Sequence, residues 1–202
     1  MRSFRCGCAG VRAPRPAIAP RVRVSIATLD NKRNLIAGCG PVAAQLLADS
    51  CRGVLVIWDL FPPWRPKGAK PCRREDRRQI QDSLRQSGVK ANQVALICIQ
   101  EELEAWLLAD GRALSAVLSS PAHPARVSDV RRPDQVRNPK KHLGRLFKRH
   151  TGTLYTDRYH AIQIVRNLPD LNRLRRVPAF ARFESKVTQW SYRQHHRASG
   201  SV

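Results

Sequence analysis

Residues 94–110 read VALICIQEELEAWLLAD, an apolar run that is followed at once by an acidic segment. The run Val94 to Ile99 is short and largely branched, which is typical of a strand buried on both faces of a parallel sheet. Four of the chain's 15 carboxylates then fall within residues 101–110. In a protein of formal net charge +22, this acidic segment is the strongest candidate for chemistry.

A second apolar run, Val54 to Trp58, ends at Asp59 and predicts another strand. The intervening residues 75–86 predict a helix, because Ile80 and Leu84 lie on one face and charged groups on the other. A strand, a helix and a strand predict a right-handed crossover with parallel strands. The carboxyl ends of parallel strands lie at one edge of the sheet, where we expect Asp59 and the acidic segment. The predicted fold is α/β, a mostly parallel sheet flanked by helices.

Carboxylates gathered at one edge suit Mg²⁺ or Mn²⁺, hard cations that share oxygen ligands with substrate phosphates. A phosphodiester is therefore the natural substrate. The predicted catalytic residues are Asp59, Glu101 and Glu104, and the predicted metal ligands are Asp59, Glu101, Glu102, Glu104 and Asp110. A structural alternative stays open, because a glutamate in the first turn of a helix is stabilised by about 0.3 to 1 kcal/mol by the helix dipole.

The charge balance favours a polyanionic partner. The 202 residues include 37 Lys and Arg against 15 Asp and Glu, and such an excess is most often found in proteins that contact nucleic acid. Part of the excess could be compositional, because Arg outnumbers Lys as in proteins from GC-rich genomes. Nucleic acid is the predicted partner, but charge does not distinguish a nuclease from a passive binder.

Other features bear on the cellular setting. No apolar stretch approaches the roughly 20 residues that span a bilayer, and none resembles a secretory signal. The six cysteines form no CxxC pair and have no zinc-site spacing, so we interpret them as reduced thiols. We expect a cytoplasmic protein without a membrane partner.

The chain divides into three parts. Residues 1–27 contain no acid and predict a disordered or divergent basic leader, residues 28–190 a single domain, and residues 191–202 a disordered tail. Within the domain, residues 31–50 predict a helix interrupted by a turn at Gly38 to Pro41. Residues 119–138 contain three prolines and predict an irregular connection.

The next element is a basic helix. Asn138 is predicted as its cap and Pro139 as its first residue, with Leu143, Leu146 and Phe147 buried. Its outer faces carry five candidate nucleic-acid-binding residues: Lys140, Lys141, Arg145, Lys148 and Arg149. The alternative interpretation is a basic face that is simply solvated.

Four segments in this order resemble a bacterial domain-of-unknown-function family related to TOPRIM domains. They are residues 54–59, the string EELEAWLLAD at 101–110, NPKK at 138–141 and FARF at 180–183. The resemblance covers about residues 31–188, and the ELEAWLLAD string is its most specific part.

The resemblance implies a compact TOPRIM-like domain, in which a glutamate after the first strand and an aspartate pair after a later strand hold Mg²⁺. It also implies a component of a bacterial defence or mobile-element locus, sometimes beside a partner ATPase. Asp59 matches the first aspartate of the pair, whereas Leu60-Phe61 provides no second one. The first glutamate has no counterpart before Asn31, which indicates a truncated or degenerate start unless Glu101, Glu102 and Glu104 compensate. The alternative function is a noncatalytic nucleic-acid-binding or partner-regulating module.

Overall fold

The computed structural model describes residues 23–61 and 70–198. Most of the leader predicted over residues 1–27 lies outside this range, and residues 23–27 form neither helix nor strand. No helix within the described ranges combines the length and the apolarity that crossing a membrane would require.

The centre of the fold is a parallel pair of strands, β1 (Val54–Asp59) and β2 (Val94–Ile99). The register runs from Val54 opposite Val94 to Asp59 opposite Ile99, so both strands end at the same edge. This confirms the predicted strands and their parallel pairing. The described residues contain two strands, fewer than a typical sheet, and Ile57 of β1 is 39% exposed. The prediction that the strands are buried on both faces was therefore wrong for β1.

Two helices complete the first half of the domain: α1 (Lys32–Ala48) and α2 (Arg73–Gln86). Ile80 and Leu84 of α2 are buried in one core with β1, as the sequence predicted. The two helices pack so closely at Gly40 that a Cβ there would lie 2.2 Å from the Ser83 carbonyl oxygen. The turn predicted at Gly38 to Pro41 was wrong, because α1 continues through it and uses Gly40 for this contact.

The second half of the described chain is helical. Its helices are α3 (Glu104–Leu107), α4 (Gly111–Leu118), α5 (Pro139–Thr151), α6 (Ile162–Arg166) and α7 (Pro178–Ala198). Leu143 and Phe147 of α5 join one core cluster, while Trp106 of α3 packs on Phe180 of α7 with ring centroids 5.2 Å apart. These two clusters fix α3 directly behind the carboxyl end of β2.

The boundaries of α5 confirm most of the sequence prediction. Asn138 occupies the cap position and Pro139 is the first residue, but the Asn138 side chain makes no capping hydrogen bond. Asn138 has φ 52°, a left-handed conformation that asparagine tolerates better than most residues. The final helix, α7, runs to Ala198, so residues 191–198 continue a helix where the sequence predicted a disordered tail.

Candidate functional site

Three carboxylates near the carboxyl edge of the sheet lie close enough to one another to interact through their charges; we call Asp59, Glu102 and Glu104 the acidic cluster. Asp59 is the last residue of β1, and Glu104 begins α3 and is only 8% exposed. The pKa of Asp59 is raised to about 7, mainly by burial and then by repulsion from Glu104 and Glu102, while the charge of Lys32 opposes the rise. Burial is also the main cause that raises the pKa of Glu104. Negative charge is therefore costly at this edge.

The neighbouring glutamates also serve the start of α5. The Lys140 backbone N–H donates to Glu102 Oε2 at 3.0 Å, which satisfies one donor of the first helical turn. The pKa of Glu101 is raised by burial and by Glu102, while Arg137 and the Asn138 backbone oppose the rise. Glu101 and Glu102 therefore also fit the alternative interpretation, in which these glutamates stabilise the start of a helix.

Lys140 lies beside the acidic cluster, although the sequence predicted it only as a phosphate-binding residue. Its Nζ is 2.6 Å from Asp157 Oδ2, and each side chain is 50% exposed. The hydrogen bond to Asp157 raises the pKa of Lys140, with further contributions from Glu104 and Glu102. Asp157 begins a π-helical turn, Asp157–Ala161, a geometry that is frequent at functional sites.

Tyr155 brings a hydroxyl group towards the same cluster. Its oxygen is buried and has no well-formed hydrogen bond within the described part of the chain. Burial raises the pKa of Tyr155, and the charges of Glu104 and Asp157 raise it further. Sequence reasoning missed Tyr155 because a lone tyrosine carries no motif, whereas the acidic start of a helix could have drawn attention to Asp157.

A buried ion pair lies behind β1. Lys32 Nζ is 3.4 Å from Asp76 Oδ2, and the two side chains are 9% and 2% exposed. The same ammonium group donates to the carbonyl oxygen of Leu60, the residue after Asp59, at 2.8 Å. Lys32 therefore supplies the nearby positive charge that lowers the pKa of Asp59. No local pattern in the sequence could have paired Lys32 with Asp76.

Asp110 has a structural role instead of joining the acidic cluster. Its carboxylate is fully buried and caps α4 by accepting from the Arg112 backbone N–H at 2.9 Å. Arg112 Nη2 and Arg173 Nη1 lie 2.7 Å and 3.2 Å from its oxygens. Burial opposes ionisation, but the hydrogen bonds from Arg112 outweigh it and hold the pKa of Asp110 below its usual range. The Asp110 oxygens, which the sequence predicted as metal ligands, are therefore engaged by the start of α4 and by two arginines.

Comparison with known proteins identifies the family. A family model described as a domain of unknown function, DUF4276, matches residues 26–188. The chain belongs to this family. Neither the curated proteins nor the solved structures contain a match.

The DUF4276 domain offers oxygen ligands, but few of them converge. Among residues 23–61 and 70–198, no three His, Cys, Asp or Glu side chains lie together in a group that could hold a metal ion. Mg²⁺ is commonly held by one or two carboxylates, with waters and substrate phosphates completing its coordination. Asp59 and Glu104, whose pKa values are raised by burial and by neighbouring carboxylates, could supply these one or two carboxylates.

The outer side of α5 forms a basic face, which we define as Lys141, Arg145, Lys148 and Arg149. All four residues are exposed, and their spacing places them along one side of the helix. Lys148 Nζ donates to the Gly152 carbonyl oxygen at 3.4 Å. The other three form no ion pair with any residue that the structure describes, so this face of the DUF4276 domain is open to an anionic partner.

Proposed function

We propose that this DUF4276 protein is a TOPRIM-like, divalent-metal-dependent phosphodiesterase that acts on nucleic acid, within a bacterial defence or mobile-element system. One observation supports the proposal: Asp59 ends a strand at the carboxyl edge of a parallel sheet, where burial and repulsion from Glu104 and Glu102 raise its pKa to about 7. A bound dication would relieve that repulsion and favour the charged carboxylates. The edge itself is where ligands bind in open α/β sheets.

The proposal gives each group a role. Asp59 and Glu104, with Glu101 as a further carboxylate of the same acidic segment, would hold Mg²⁺ or Mn²⁺, which when bound would polarise a phosphodiester or activate water. The basic face of α5 would contact the phosphates of the strand without reading its sequence. Lys140, held by Asp157, would place a further positive charge next to the acidic cluster.

The decisive experiment is a cleavage assay with Mn²⁺ or Mg²⁺ on single-stranded DNA, duplex DNA and RNA. We expect metal-dependent cleavage by the wild-type protein. In Asp59→Asn the cleavage rate should fall at least about 100-fold, because the substitution removes a charged metal ligand. Asp49→Asn, at an exposed carboxylate after α1, is the matched control and should retain activity. Equal cleavage by wild type and Asp59→Asn would indicate a contaminating nuclease and refute the proposal.

A noncatalytic nucleic-acid-binding or partner-regulating module is the second candidate. It is favoured by the bond from the Lys140 N–H to Glu102, which occupies one carboxylate in capping α5. Salt-dependent binding would fit both candidates, because phosphate contacts dominate either way. A well-folded protein that binds nucleic acid without cleaving it in either metal would support the module.

A further inference from the structure

A cavity of about 390 Å³ lies at the carboxyl end of β2, next to the acidic cluster. Its wall includes Gln100 and Glu101, which directly follow the strand, and Trp106 of α3. Ligand pockets in proteins typically measure about 300 to 1,000 Å³. The cavity is therefore large enough for a small organic ligand, and it lies at the edge where α/β sheets bind ligands.

Two arginines from different helices line this cavity. Arg73 is the first residue of α2, and Arg182 lies near the start of α7. Both side chains are exposed, and neither forms an ion pair with a described residue. Arg73 lies near enough to lower the pKa of Cys98, another residue of the wall, against the larger effect of burial. A guanidinium group binds phosphate through paired hydrogen bonds, so the two arginines favour a phosphate-bearing ligand.

The rest of the polar lining favours more than a bare phosphate. Glu101, Asp134 and Gln100 also line the cavity, so its wall includes two acidic residues and an amide beside the two arginines. Inorganic phosphate would be attracted by the arginines and repelled by the carboxylates. A nucleotide suits both kinds of residue, because its phosphate accepts hydrogen bonds from arginines and the amino group of its base donates hydrogen bonds to carboxylates.

We propose that this cavity binds a nucleotide, with its phosphate held by Arg73 and Arg182 and the amino edge of its base facing Gln100, Glu101 and Asp134. The inference deepens the proposed function and rests on it, since the nucleotide is either the phosphorylated end of a bound strand or a free mononucleotide. The cavity thereby selects for an unpaired nucleotide, because a base within a duplex has no free amino edge to offer.

The test measures binding by the full chain in EDTA, so that metal binding and cleavage play no part. Fluorescence titrations compare AMP, adenosine, inorganic phosphate, and one oligonucleotide with and without a 5′-phosphate. The chain has four tryptophans, and Trp106→Phe identifies the signal that comes from the cavity wall. We expect AMP to bind at least about 10-fold more tightly than adenosine or phosphate alone. Competition by the 5′-phosphorylated strand identifies a strand end as the source, and its failure to compete identifies a free nucleotide.

Variants then locate the binding site. Arg73→Gln with Arg182→Gln should weaken AMP binding at least about 10-fold, while Arg182→Lys should lose less because it keeps the charge. Arg78→Gln, an exposed arginine of α2 outside the cavity wall, is the matched control. Unchanged AMP affinity in the double variant, or no AMP binding at about 1 mM, would overturn the inference. Cleavage activity without AMP binding would overturn this inference but leave the proposed function intact. The variant Lys141→Glu with Arg145→Glu tests strand binding by the basic face of α5 separately.

Discussion

Asp59 is held close to the midpoint of its titration at neutral pH, because burial and two neighbouring carboxylates raise its pKa to about 7. In the unfolded chain the same group has a pKa near 3.8. The folded protein therefore binds the proton more tightly than the unfolded chain. It follows that the stability associated with protonated Asp59 is fully present below pH 3.8 and is lost as the pH rises to about 7.

The first prediction concerns Asp59→Asn, which mimics the protonated carboxyl. The difference in free energy of unfolding between the variant and wild type should shift in favour of the variant by about 1 to 2 kcal/mol from about pH 4 to about pH 8. This figure is smaller than the full pKa shift implies, because Asp59 is partly exposed to solvent. Urea unfolding at both pH values measures this difference. Asp49→Asn, at an exposed site, is the control, and an equal pH effect in both variants would show that the environment of Asp59 is not the cause.

The second prediction concerns Asp110, which is fully buried between Arg112 and Arg173. Asp110→Ala should lower the free energy of unfolding by about 3 kcal/mol, because it removes a helix cap and leaves two arginines without their buried partner. Asp170→Ala removes a more exposed partner of Arg112 and should cost less than about 1 kcal/mol. Chemical denaturation compares them, and similar losses would contradict the structural role of Asp110.

Residue-scale contacts also explain what sequence could not predict about the site. Asp59 and Glu104 were predictable because each follows an apolar run at the end of a strand. The pairing of Lys32 with Asp76 and of Lys140 with Asp157 depends on long-range packing, which leaves no local periodicity. Asp110 was predicted as a metal ligand because it closes the acidic segment 101–110, whereas its second arginine partner, Arg173, lies 63 residues further along the chain.

At the scale of elements, α1 and α2 are joined by one close approach. Gly40→Ala should cost about 1 to 3 kcal/mol, because its Cβ would lie 2.2 Å from the Ser83 carbonyl oxygen and would force the helices apart. Gly144→Ala in α5 is the matched control: its Cβ would meet nothing within 4 Å, so the change should stabilise by about 0.5 to 1 kcal/mol. Thermal unfolding measures both, and the same sign for both would refute this account of the α1–α2 contact.

Strands and helices differed in how far the sequence determined them. β1, β2, α2 and α5 were predictable because each has a clear hydrophobic pattern and a clear end. The turn predicted in α1 failed because the glycines and Pro41 indicate a break locally, while Gly40 is required for helix packing. Local signals could not show that α2 lies against that position.

At the scale of the whole molecule, the net charge of +22 is an excess that must repel itself in the folded state. Raising NaCl from about 10 mM to about 150 mM shortens the range of that repulsion. We expect the free energy of unfolding to rise over this range, and chemical denaturation at each salt concentration measures the change. A decrease would mean that ion pairs outweigh the overall repulsion, among them those of Asp110 with Arg112 and Arg173 and those of Asp129 with Arg173 and Arg176.

The parallel pairing of β1 with β2 also has a consequence for how the chain folds. Val54 meets Val94 only after the whole of α2 has been placed between them, so the sheet cannot begin as a local hairpin. Closing the segment between β1 and β2 costs chain entropy, and this cost arises before the contacts between the strands can offset it. The refolding rate should therefore depend on how early α2 forms, and changes that strengthen this helix should speed folding more than changes within the strands.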